Sequence, residues 1–291
     1  MEKLSINIKG DEMLCRNNPF LLKGMNEAVN RIVKAVNSRE KIVIYGYYDF
    51  DGIAAISLLL LVLKFLNADV EYLIPDYIDE NKGIDSYYIE NHINLLGTGL
   101  IVTVGCGCNS VSQVELCKKL GIDIIITDYH KYNKKITNST VINTNQKNRV
   151  YSFDNLSASG IAYKLVEAIS TYYKMNCISK YLDLVMLGTI SSDFLLTGEN
   201  SYIIKKGFKQ LSNTNNHGLK ALLKANNIDI ENINLKVLKE LTHNISQITL
   251  PINKINNARI VVELFTTSKE DRANQIAKYL KNEIYFNMYN K

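Results

Sequence analysis

The sequence predicts an α/β protein: a doubly wound, mostly parallel five-stranded sheet followed by a helical portion. Three observations carry this. Short apolar runs alternate with longer amphipathic ones between Lys41 and Asn143. Such alternation implies βαβ units with right-handed crossovers and a sheet covered on both faces. Beyond about residue 155 the apolar residues recur at helical spacing instead. The composition, 46% hydrophobic and 22% charged over 291 residues, belongs to a globular chain of one large or two smaller domains and excludes global disorder.

The elements follow in order. Lys41–Gly46 (KIVIYG) is an apolar, β-branched run ending in Gly, hence a strand. Gly52–Asn67 is a helix, apolar on most faces and so buried. Val70–Ile74 is a second strand, stopped by Pro75. A short helix over Ser86–Leu95, a strand over Leu100–Val104, a helix over Ser110–Leu120, a strand over Asp123–Thr127 and a weak fifth strand over Val141–Asn143 complete the sheet. Helices are then expected at Leu156–Tyr173, Lys180–Ser192, Tyr202–Leu211, Leu219–Ala225 and Leu235–His243, with loops at Gly198–Asn200 and Asn213–Gly218. An amphipathic helix over Glu270–Lys281 closes the chain. The expected division is an N-terminal helical segment (1–40), an α/β domain (41–200) and a helical C-terminal portion (201–291). Three prolines and no Gly/Ser linker argue against a flexible two-domain arrangement.

Several function classes drop out. The longest apolar stretch, Ile53 to Leu63, is ended by Lys64, well short of the ~18–20 residues that span a bilayer. No membrane partner is expected. Met1–Gly10 carries early charge and no apolar core, which points to the cytoplasm rather than secretion. Five cysteines (Cys15, Cys106, Cys108, Cys117, Cys177) are an odd number in a long chain and fit reduced thiols. Cys106, Cys108 and Cys117 lack CxxC spacing and read as structural rather than zinc-binding. The net charge of +5, from 28 Lys and 6 Arg against 29 acidic residues, permits nucleic-acid contact without demanding it.

In an open parallel sheet, ligands bind beyond the carboxyl ends of the strands. Here those ends carry Asp49 and Asp51 (YGYYDFDG), then Asp128 and His130 (IIITDYH). Three aspartates and a histidine suit Mn²⁺ or Mg²⁺. A two-metal phosphoesterase uses such a cluster to clamp a phosphoryl oxygen and activate water. The alternative is that Asp49 and Asp51 cap the following helix and His130 is a loop residue. Tyrosines crowd the same place (Tyr45, Tyr47, Tyr48, Tyr129, Tyr132) and suit base stacking, protein contact or packing.

The order of segments resembles the DHH phosphoesterase family, in particular its RecJ-like branch of single-strand exonucleases. IVIYGYYDFDGIAA resembles the GDYDADG motif, LIPDYIDENKGI the PDR…GYGL segment, IVTVGCGCNS the TVDCG motif and IIITDYHK the TDHH motif. LSASGIAYKL, LGTISSDFLLTGEN and LPINKINNAR are similar to later segments of the same family. The resemblance implies a RecJ-like DHH domain, a metal-dependent nuclease chemistry and single-stranded DNA as substrate.

The departures bear on that chemistry. Tyr47, Gly105, Tyr129 and Ser192 stand where the pattern has an aspartate, the second-motif metal-binding aspartate, the first histidine and another aspartate. Tyr77 and Ser201 replace arginines, and no GGGH-type motif occurs. The residual metal candidates are Asp49, Asp51, Asp128, His130 and Asp193, the last one residue from Ser192. The expected cofactor is none, or weakly bound Mn or Mg, because two neighbouring cations need bridging anions and glycine supplies none. The expected role is a catalytically degenerate binding or regulatory module in DNA recombination or replication, encoded by a phage or mobile element. Its expected partner is a recombinase or replication factor, with direct nucleic-acid contact left open. The alternative is an active metal-dependent phosphoesterase or 5′→3′ single-strand exonuclease. Ile276, Ala277 and Leu280, on one side of the last helix, are candidates for a protein interface.

Overall fold

The computed structural model describes residues 17–76, 83–132, 136–146, 150–230, 233–250 and 256–289. Helix α1 (Met25–Asn37) leads into β1 (Lys41–Tyr45), α2 (Phe50–Phe65) and β2 (Val70–Leu73). Next come α3 (Ser86–Tyr88), β3 (Thr98–Val104), α4 (Val111–Lys119), β4 (Asp123–Asp128) and β5 (Thr140–Asn143). The five strands are all parallel, in the order β2-β1-β3-β4-β5. The chain leaves β1 for one side of the sheet and returns beside it as β3, so the connections after these two strands diverge and leave a crevice at their carboxyl ends.

Side-chain alternation divides the core. Ile42 and Ile44 of β1, with Leu100, Val102 and Ile125, face α1, α2 and the later helices. Val43, Tyr45, Ile101, Ile124 and Ile126 face the other side, under α3 and α4. Strands buried on both faces need apolar residues at every position, which is why these segments read as unbroken runs.

The second half supplies α5 (Ala158–Tyr172), α6 (Leu182–Ser191), α7 (Gly198–Leu211), α8 (His217–Ala225), α9 (Leu235–Ile248), α10 (Asn257–Thr266) and α11 (Glu270–Tyr289). Helix α2 is the hub: α5, α6 and α10 all pack on it. One apolar core joins residues from Leu22 to Ile284 across the expected boundaries at 40 and 200.

Three expectations are corrected. Ser86–Leu95 is not one regular helix: α3 gives way to a π turn, Ile89–Ile93, and a 3-10 turn, Asn94–Leu96. Gly198–Asn200 is not a loop but the first turn of α7, because Glu199 and Asn200 are buried and bonded there. The apolar side of α11 is not free. Ile276 is 3% exposed, and Ala277 and Leu280 are fully buried. With Ala273 and Ile284 they continue one stripe that α8, α9 and α10 cover. Truncation after Phe265 is therefore expected to unfold the helical portion. Tyr77, Cys15 and half of each of the LIPDYIDENKGI and LPINKINNAR segments lie outside the described residues.

A buried carboxyl on α6 gives a pH-dependent stability. Burial pushes Asp183 up to about 6, against hydrogen bonds from the Thr214 hydroxyl and the Leu184 N–H. A raised carboxyl pKa stabilises the fold fully below the unfolded value near 4, and that contribution is lost as pH rises through about 6. Asp183→Asn removes this dependence. Relative to wild type, the variant is expected to gain about 2–3 kcal/mol between pH 4 and pH 7 in urea unfolding. A difference independent of pH would contradict this.

Candidate strand-end site

Asp49 is the N-cap of α2; its Oδ1 accepts from the Gly52 N–H at 2.7 Å. Asp51 lies one residue inside the same helix, buried, and turns toward α5. Its Oδ2 accepts from the Ala158 N–H at 2.7 Å and its Oδ1 from the Ser159 N–H at 2.9 Å. These are the first two residues of α5, whose N-cap Ser157 takes the Gly160 N–H. The carboxylate thus satisfies orphan donors at a helix start. Burial pushes Asp51 up to about 6, and Asp49 adds to the rise, while Ser159 and Ala158 oppose it.

Asp128 ends β4, with its side chain buried. Its Oδ2 accepts from the Cys108 N–H at 2.9 Å. Its Oδ1 takes the His130 N–H at 3.0 Å and lies 2.7 Å from His130 Nδ1. The His130 side chain is 31% exposed. Each of the three strand-end carboxylates is therefore answered by backbone N–H groups, and no lysine is needed to offset them.

The departures fill the space between these acids. Gly105 follows β3 in the left-handed region, φ +70°. A Cβ there would meet the Ala158 Cβ at 2.9 Å and the Tyr129 ring at 3.8 Å. Burial pushes the Tyr129 phenol up, and Asp51, Asp49 and Asp128 push it further, so it stands among all three as a neutral group. Its ring stacks on His130 at 4.2 Å and meets Phe194 edge-on at 4.9 Å. Tyr47 is buried, and its hydroxyl donates to the Gly83 carbonyl at 2.7 Å. Ser192, the C-cap of α6, donates to the Gly188 carbonyl. Asp193 is exposed and has no hydrogen bond or ion pair to the other acids.

Asp49, Asp51, Asp128 and Tyr129 are thus brought together, with His130 on Asp128, while Asp193 is exposed, next to Phe194. Among the described residues, no group of three His, Cys, Asp or Glu side chains could hold a metal ion. The donor set does not fit two bridged cations: each oxygen of Asp51 already accepts one backbone N–H, and Gly105 offers no bridging carboxylate. The cysteines do not change this. Cys106, Cys108 and Cys117 are buried, burial raises all three thiols, and Asn143 donates to the Cys108 sulfur at 3.1 Å.

Two further groups were not legible beforehand. The N–H groups of Ala158 and Ser159 lie more than a hundred residues from Asp51; the Ser157 cap signal marks the helix start but not what it meets. Lys164 and Glu199, in the LSASGIAYKL and LTGEN segments, form a buried ion pair at 2.7 Å, with Glu167 at 2.9 Å from the same ammonium. Tyr151 also donates to Glu199. Lys164, Glu167 and Glu199 hold the scaffold, whereas Ala158 and Ser159 of the same LSASGIAYKL segment hold the site.

Fold and site together define a doubly wound α/β protein with acids gathered where β1 and β4 end, on either side of β3. Residues 41–189 match the model of the DHH family, N-terminal domain. The chain belongs to the DHH family and is RecJ-like. It is 36% identical over 217 residues to the single-stranded-DNA-specific exonuclease RecJ of Bacillus subtilis, covering 74% of this chain and 27% of that protein. It is 28% identical to RecJ of Haemophilus influenzae over 272 residues, covering 89% and 47%. A crystal structure of exonuclease RecJ bound to manganese superposes with a TM-score of 0.80 at 22% identity, over 92% of this chain and 67% of that one, and shares the fold. The chain spans less than half the length of these curated relatives. Among the described residues no helix is long and apolar enough to cross a membrane.

Proposed function

We propose that this RecJ-like chain engages single-stranded nucleic acid without assembling a two-metal hydrolytic centre, as a binding or regulatory module in DNA recombination or replication. The observation that carries this reading is Gly105: a left-handed glycine facing the Ala158 Cβ, with no room for the bridging carboxylate that two ions require. The Tyr129 phenol among Asp49, Asp51 and Asp128 supports it, because a neutral hydroxyl is a poor ligand for a hard cation. The second reading, a metal-dependent exonuclease, is favoured by the retention of Asp49, Asp128 and His130 at the strand ends and by the activity for which the relatives are named.

The test is degradation of 3′-labelled single-stranded DNA in millimolar Mn²⁺ or Mg²⁺. The wild type is expected to match Asp49→Ala, with no shortening from the 5′ end. Turnover present in the wild type and lost in Asp49→Ala would overturn the proposal in favour of the nuclease.

A further inference from the structure

The mouth of the strand-end site carries aromatic surface that the fold leaves half open. After Asp128 the chain runs Tyr129-His130-Lys131-Tyr132. Tyr129, His130, Tyr132 and Phe194 are all partly buried, and Lys131 is exposed. Tyr129 links the group, stacked on His130 and edge-on to Phe194. Tyr132 packs on the other face of the sheet, close enough to Asp128 and Cys108 for both to raise its phenol, after burial. Tyr48 borders the same acids beside Asp49. The loop is held in place from behind: Asn145 donates to the Tyr129 carbonyl at 2.6 Å and Asn143 to the His130 carbonyl at 3.0 Å. Among the described residues no carboxylate pairs with Lys131.

Charge decides which part of a ligand can enter. The floor carries Asp49, Asp51 and Asp128, and among the described residues no lysine or arginine is bonded to them, so a phosphodiester is repelled from it. A nucleobase is neutral and has two π faces, and half-buried rings held by their backbone receive it at little ordering cost. The lysine at the lip is where a phosphate would then lie. From this we infer that the Tyr129–Tyr132 loop with Phe194 is a stacking platform for unpaired bases of single-stranded nucleic acid, working without a divalent ion. This rests on the reading of the site as one that binds without a metal pair.

The probe is fluorescence anisotropy in EDTA with a labelled oligothymidylate and with an abasic oligomer of equal length and charge. Oligothymidylate is expected to bind between about fivefold and a hundredfold more tightly than the abasic strand. Phe194→Leu, which keeps apolar bulk, is expected to lose most of that difference, and Phe194→Tyr to keep it. Equal binding of the two strands overturns the platform while leaving metal-free binding standing. Binding that appears only with Mn²⁺ overturns both. No binding of either strand overturns the platform and leaves the cleft to a protein partner. The abasic comparison is made on the wild type, so it stands even where a variant fails to fold.

Discussion

Gly105→Asp is expected to lower stability by about 2–6 kcal/mol and to create no metal site. Two costs add. A non-glycine residue at φ +70° costs about 1–3 kcal/mol. A Cβ placed 2.9 Å from the Ala158 Cβ forces one backbone away from the other, and overpacking of this kind costs about 1–3 kcal/mol. Ala158 cannot yield easily, because its N–H is fixed to Asp51 at 2.7 Å. Adding Ala158→Gly removes the contact and is expected to recover part of the loss, although glycine in the first turn of α5 itself costs about 0.5–1 kcal/mol. The check is urea unfolding of the single and double variants. A Gly105→Asp chain as stable as wild type would show that the site has room for the carboxylate.

Lys164→Met is expected to cost about 3–5 kcal/mol, more than any surface substitution in this chain. The ammonium is 4% exposed and lies between Glu167 and Glu199, at 2.9 and 2.7 Å. It also donates to the Asn17 carbonyl at 2.9 Å. Removing it leaves a carboxylate on α7 buried without its cation, since the remaining donors to Glu199 are the Tyr151 hydroxyl and the Asn17 N–H. Glu199→Gln on the Lys164→Met background is expected to restore part of the stability, because the amide is not charged. Urea midpoints for the wild type, the single variants and the double variant give the coupling. Additive effects would contradict a shared buried cluster.

These two expectations separate what the sequence carries from what only the fold supplies. The strands were legible because a parallel strand buried on both faces must be apolar throughout, and KIVIY and DIIIT leave little else to be. The strand-end acids were legible by position, since such sheets bind at their carboxyl ends. What each acid does was not. Asp49 and Asp51 are two residues apart, yet one caps its own helix and the other caps α5. That difference depends on where a segment 107 residues away comes to rest. The stripe Ile276, Ala277 and Leu280 was legible as apolar, but its cover lies on α8, α9 and α10, and pattern alone does not say whether a stripe meets its own chain or another. Likewise Tyr129 was visible beside His130 in the sequence, whereas its stacking on His130 and contact with Phe194 belong to packing.

The most direct measurement of the central claim is manganese-edge anomalous diffraction from crystals grown in millimolar Mn²⁺. The site closed by Gly105, Ala158 and Tyr129 is expected to give no pair of peaks about 3.5–4 Å apart, the separation of a two-metal centre. A well-occupied pair between Asp49, Asp51 and Asp128, with Tyr129 swung aside, would contradict it.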